Sequence, residues 1–129
     1  MINKFNIGDE KTYLKLVELN DTATFDSGEV HPVYATFALG RDAEWVSRLF
    51  VIDMKEPNEE GIGTFLQVNH HSPAIIGSKV NFTANIDSIE GNNIICSFTA
   101  KVNNRLIASG KTGQKILKKE KLQTLFSSL

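Results

Sequence analysis

A single cysteine among 129 residues leaves no internal disulfide to form. Its neighbours, Ile94-Ile95-Cys96-Ser97-Phe98, read as a strand. Cys96 is therefore expected in the core, since a reactive thiol needs an accessible, electropositive niche. Charge of one sign is also missing. The 14 Lys and Arg stand against 15 Asp and Glu, which gives no field to recruit nucleic acid or an anionic membrane. No apolar run approaches the ~20 residues of a membrane-spanning helix. The opening Met-Ile-Asn-Lys-Phe-Asn lacks the apolar stretch of a signal peptide, so a cytoplasmic location is expected. There is no Gly-x-Ser-x-Gly elbow and no phosphate-cradling loop. Gly61 and Gly63 come before a strand, whereas a dinucleotide fingerprint follows a strand and opens a helix. No Cys or carboxylate cluster has metal-ligand spacing. Neither a cofactor nor a metal is expected.

What the chain does contain suits one domain spanning residues 1–129, with a hydrophobic fraction of 41% that is enough for an ordinary core. Residues 33–53 read as one long helix. Ala38, Ala43, Trp45, Val46, Leu49, Phe50 and Ile52 cover most of its circumference, the pattern of a helix buried nearly all round. Before it, residues 12–19 alternate as a first strand, and 21–32 are a connection with turn chemistry at Asp26-Ser27-Gly28. Pro57 and Gly61 mark the helix stop. From Ile62 the period becomes two. Ile62, Thr64, Leu66, Val68 and His70 share one face of a strand. Residues 79–89, 94–102 and 106–116 follow as further strands, with Val80, Phe82, Ala84, Ile86, Ile94, Cys96, Phe98 and Ala100 inward. A short helix at 122–126 closes the chain. The fold class is α+β, an antiparallel sheet meandering by hairpins and curled around one central helix. Such a sheet leaves an edge strand open, and pairing two edges about a twofold axis removes that liability, so a homodimer is expected.

Three polar residues interrupt apolar settings. Glu44 lies inside the helix between Ala43 and Trp45. It is either an ion-pair partner of Arg41 or Arg48, within one helical turn, or a functional carboxylate. His70 ends a strand with apolar same-face neighbours and is either a hydrogen-bonded structural residue or a base. His70 and His71 point to opposite faces, so they cannot readily share an ion. Thr36 stands at the helix entrance, where an N-cap is the commonest role for Thr.

In order along the chain, Val33-Tyr34-Ala35-Thr36, then Glu44-Trp45, then Gly63-Thr64 with Val68-Asn69-His70 resemble the local motifs of hotdog-fold acyl-CoA thioesterases, within them the family similar to fluoroacetyl-CoA thioesterase. The resemblance covers residues 5–118. It implies a hotdog fold, hydrolysis of an acyl-CoA substrate to the free acid and CoA, and catalytic roles for Thr36, Glu44 and His70. It also implies that Gly63 lies close to the bound acyl group and that Tyr34 and Asn69 lie in the substrate site. Asn69 stands where the fluoroacetyl-specific enzyme has Thr. The stretch 26–30 has no phenylalanine, although that enzyme carries an aromatic lid there, so specificity for fluoroacetyl is not expected. A non-catalytic hotdog protein that binds acyl-CoA or another small ligand is the second reading, with Glu44 and His70 merely satisfying each other. A hotdog hydratase would carry Asp and His close together at the helix entrance. Here His31 precedes the helix and Asp42 is well inside it.

Overall fold

A long helix needs a wall to bury against, and the alternating segments supply one. The structure, a computed structural model, describes the backbone of residues 1–129 and every side chain except those of residues 29 and 30. In chain order the elements are β1 (Glu10–Leu16), a 3-10 turn (Leu19–Asp21), β2 (Thr22–Phe25), β3 (Gly28–Tyr34), α1 (Thr36–Met54), β4 (Glu59–His70), β5 (Lys79–Glu90), β6 (Asn93–Val102), β7 (Arg105–Lys118) and α2 (Lys119–Ser127). Five strands form one antiparallel sheet in the order β1-β5-β6-β7-β4, while β2 and β3 pair as a separate hairpin. The inward residues of β5 and β6 are those that the alternation predicts, from Val80 to Ile86 and from Ile94 to Ala100. They pack with Ala38, Leu39, Ala43, Val46, Phe50 and Val51 of α1 into one core. Cys96 is buried there, and burial pushes its thiol up to about 12.

Five expectations are corrected. The connection at 21–32 is instead the β2–β3 hairpin, turning where Asp26-Ser27-Gly28 predicts a turn. The helix starts at Thr36 because Val33 and Tyr34 belong to β3, and Ala35 at the helix N-cap keeps an extended backbone. The sheet is not a simple meander, since β4 lies beside β7 and not β5. The segment 71–78 carries the chain across the sheet end, fixed by Tyr34 N–H to the Ala74 carbonyl and Val17 N–H to the Ser78 carbonyl.

The fourth correction concerns the helix. It is not buried all round. Phe37, Trp45 and Ile52 are 57%, 41% and 42% exposed, and with the exposed Arg41 and Glu44 they form a stripe at helical spacing along one open side of α1.

α1 and β4 run antiparallel, side by side. Gly61 meets Val51, Gly63 meets Glu44, Leu66 and Val68 meet Gly40, and His70 meets Thr36. One face of β4 delivers all of these only because the strand is bulged. Gly63 pairs with Gln114 and Phe65 with Gly113, so Thr64 is an extra residue. An extra residue inverts the alternation beyond it. The helix-facing set is therefore Gly61 and Gly63 before the bulge and Leu66, Val68 and His70 after it, not the unbroken even-numbered face that alternation predicts.

Candidate active site

Thr36 is the first helical residue of α1, one position inside its cap, so it is not an N-cap. Its Oγ1 lies 2.9 Å from Nδ1 of His70 at the end of β4. That is the separation expected of a hydroxyl and its base. Burial holds the His70 imidazole below its ordinary range, with the charge of His71 adding to the effect and the Ser72 backbone opposing it. The ring is thus neutral near pH 7, and its Nε2 is buried with no partner among the described residues. His71 faces the other way and meets the Ser109 hydroxyl at 2.8 Å.

The helix entrance adds donors. Leu39 N–H makes the first intrahelical bond, to the Ala35 carbonyl at 2.9 Å, so the amides of Thr36, Phe37 and Ala38 have no partner within the helix. The Tyr34 and Ala35 amides are taken, by the Ala74 and Asp21 carbonyls, each at 2.8 Å. Beside Thr36, Phe37 meets Phe25 edge to face, ring centroids 6.0 Å apart. Phe25 ends β2, so the hairpin sets an aromatic residue over the helix entrance. Phe25 adjoins the stretch 26–30, which has no phenylalanine. Two side chains of that stretch, Glu29 and Val30, lie outside the described residues.

Glu44 and Gly63 form a second group. Eight residues at 1.5 Å per residue put Glu44 about 12 Å along the helix from Thr36. The two lie in a cleft of about 220 Å³ lined also by Arg41, Trp45, Arg48 and Gln114. Gly63 and Glu44 are immediate neighbours there, since a Cβ on Gly63 would sit in ordinary contact 3.7 Å from Glu44 Oε1. The ion-pair role open to Glu44 is not realised. Arg41 binds Asp21 at 2.8 Å and Asp42 at 3.1 Å, while Arg48 binds Glu60 at 2.6 Å. Among the described residues Glu44 has no salt-bridge partner.

The two remaining candidates lie elsewhere. Tyr34 is 1% exposed, and its hydroxyl donates to Asp42. Its side chain is a core strut with almost no open surface. Burial, reinforced by Asp42, pushes the phenol far above its usual range. Asp42 joins Arg41, Asp21 and Lys15 in one network, with Lys15 Nζ 3.1 Å from Asp21. Burial alone would raise the Asp21 carboxyl, but hydrogen bonds from Arg41, the Glu18 amide and Lys15 outweigh it and hold the group below its usual range. Asn69 is exposed and, by strand alternation, points away from the His70 face. The sequence reading missed Gln114. It occupies an inward position of β7, and nothing in its local pattern distinguishes it from an ordinary strand polar residue.

A sheet wrapped on one central helix, with a hydroxyl–imidazole pair at the helix entrance, defines a class. This is the hotdog fold, shared with a hot-dog-like protein from Thermanaerovibrio acidaminovorans (TM-score 0.87, 21% identity, covering 96% of this chain and 92% of that one). Residues 17–120 match the family model described as FlK, fluoroacetyl-CoA-specific thioesterase. The chain belongs to that thioesterase family. A Thermus thermophilus hypothetical protein described as a thioesterase superfamily member is 32% identical, covering 98% of this chain and 94% of that one, with a TM-score of 0.93. The fluoroacetyl-CoA thioesterase FlK itself is 23% identical over 98% of both chains, with a TM-score of 0.89. No curated protein matches the chain.

Proposed function

We propose that the protein hydrolyses a short acyl-CoA thioester to the free acid and CoA, without specificity for fluoroacetyl. The observation that carries this is the Thr36–His70 hydrogen bond at the mouth of a helix whose first amides have no partner within the helix, in a chain of a thioesterase family. A Thr hydroxyl is a poor nucleophile without an adjacent base, and here the base is adjacent. In the proposed cycle His70 Nδ1 takes the Thr36 proton as Oγ1 attacks the thioester carbon. The Phe37 and Ala38 amides receive the developing oxyanion. The C–S bond breaks, and the His70 proton passes to the CoA sulfur. Water, deprotonated by Glu44, then attacks the acyl carbon, the bond to Thr36 Oγ1 breaks, and the proton held by Glu44 passes to that oxygen as the acid leaves.

This cycle needs Glu44 beside Thr36, which one protomer alone does not provide. The edge strand β4 offers a route. Phe65 and Leu66 are 43% and 41% exposed on it, and an open apolar edge of this kind invites pairing. An antiparallel twofold pairing centred on Gln67 would set Phe65 opposite the partner subunit's Asn69 and, across the bulge, Gly63 opposite the partner subunit's His70. Glu44 of one protomer then serves the Thr36–His70 pair of the other. The double variant Phe65→Lys, Leu66→Lys is expected to sediment at single-chain mass and to lose hydrolysis. A monomeric variant with full activity would remove the shared site.

The deciding experiment is release of CoA thiol from a panel of acyl-CoA esters, with mass spectrometry of quenched enzyme. Turnover with an acyl adduct on Thr36 is expected. Turnover with no adduct at any time would instead favour direct attack by water, and no turnover would sink the hydrolase reading. The non-catalytic reading has Glu44 and His70 satisfying each other; within one protomer His70 bonds Thr36 instead, and binding of the esters without turnover would favour that reading. A pH profile adds a check. The base works when deprotonated, so kcat/KM should rise through a pH below the ordinary His value of about 6.5 and be flat at neutrality. A midpoint above 7 would contradict the burial of His70.

A further inference from the structure

Three buried side-chain atoms have no hydrogen-bond partner among the described residues: His70 Nε2, Thr112 Oγ1 and Gln114 Nε2. The first belongs to the catalytic pair. Thr112 lies deep under α1, opposite Cys96 in the β6–β7 ladder. Gln114 is different. It is only 6% exposed, it stands opposite Gly63 in the β4–β7 ladder, and it walls the cleft that holds Glu44. Buried amides are ordinarily paired, and a bare one is costly unless something entering the site meets it. A pocket built for plain hydrocarbon would carry an aliphatic side chain there.

We propose that Gln114 selects the acyl group by hydrogen-bonding a hydroxyl on it, so that short hydroxyacyl-CoA thioesters are the preferred substrates. The proposal rests on the hydrolase reading and on Gly63 lying close to the bound acyl group, which puts that group in the cleft Gly63 shares with Glu44 and Gln114. A hydroxyl both donates and accepts, so it satisfies the amide in either orientation of its O and N. A carboxylate on the acyl tail would face the unpaired Glu44, while Arg41 and Arg48 in the same wall are already held by Asp21, Asp42 and Glu60. The cleft, at about 220 Å³, is smaller than the ~300 Å³ at which pockets for drug-sized ligands begin, so the acyl group is short.

Size-matched pairs test this: glycolyl- against propionyl-CoA, and 3-hydroxybutyryl- against isovaleryl-CoA. Wild type is expected to favour the hydroxylated member of at least one pair by on the order of tenfold or more in kcat/KM, because a site built around a hydrogen bond rejects the analogue lacking it. Gln114→Leu is expected to erase that preference while melting no lower than wild type, since the bare amide is gone. Gln114→Met, of similar length, gives a second reading if the Leu variant folds poorly. Binding of the same pairs to His70→Ala, by calorimetry, separates selection from turnover. Selective binding without hydrolysis of any ester would overturn the hydrolase reading and uphold this one. Hydrolysis without preference in either pair, or a preference that survives Gln114→Leu, would overturn the role of Gln114 and leave the hydrolase reading standing. Absence of both binding and turnover would overturn both.

Discussion

His70→Ala is expected to lower kcat by on the order of 10²-fold or more, the usual scale for a general acid–base group. Among the described residues of the same protomer, His70 is the one base bonded to Thr36. The free amides at the helix entrance only donate, and Glu44 is about 12 Å away along the same helix. Glu44→Ala is expected to cut turnover comparably but by a different route. Acylation of Thr36 should persist, so the variant should show a burst of thiol release of about one equivalent per site and then stall, the signature of slow deacylation. His70→Ala should show no burst. Near-normal turnover in both variants would remove the assignment, and a stalled burst in His70→Ala would exchange the two roles.

Asp42→Ala is expected to give the largest loss of stability from a single substitution, about 3 kcal/mol, or on the order of 10 °C in Tm. Asp42 is 5% exposed and accepts from the buried Tyr34 hydroxyl and from Arg41. Removing it strands the phenol in the core, and a stranded buried donor costs its full desolvation. Tyr34→Phe removes that donor, so it should cost less, and combined with Asp42→Ala it should be clearly less than additive. Chemical denaturation of the four proteins checks this, and simple additivity would mean that the two residues act independently. Asp21, in the same network, sets an acid limit. Its folded-state carboxyl is held below the unfolded value, so its contribution is present above that value and is lost only as pH falls through the lower, folded one.

The sequence revealed the strands β5, β6 and β7 because each packs one face, and period two is then written plainly in Val80 to Ile86 and Ile94 to Ala100. It revealed the pairing of Thr36 with His70 only through motif resemblance. Thirty-four residues separate them, and no local pattern spans such a distance. The β2–β3 hairpin was hidden by its composition, since Pro32 and the polar run before it read as loop. The open side of α1 was hidden because Trp45 and Ile52 carry no mark that distinguishes a core position from a surface awaiting a neighbour. Gln114 was hidden for the opposite reason, as a polar residue inside a strand of mixed pattern. In each case the missing information was which element lies alongside, and that depends on strand order and not on the alternation of side chains.

The bulge at Thr64 has one more implication. An evenly pleated edge strand can slide along its neighbour by two residues and still present the same face, which makes edges prone to mispairing. β4 cannot do so, because its two halves are out of phase with each other. Any slip that keeps Leu66, Val68 and His70 inward would move the extra residue away from Gly113 and close the space that Phe65 and Thr64 occupy there. The irregularity works as a key cut into the edge. It admits a single alignment of the strand, and in a twofold pair it would admit a single alignment of the partner as well.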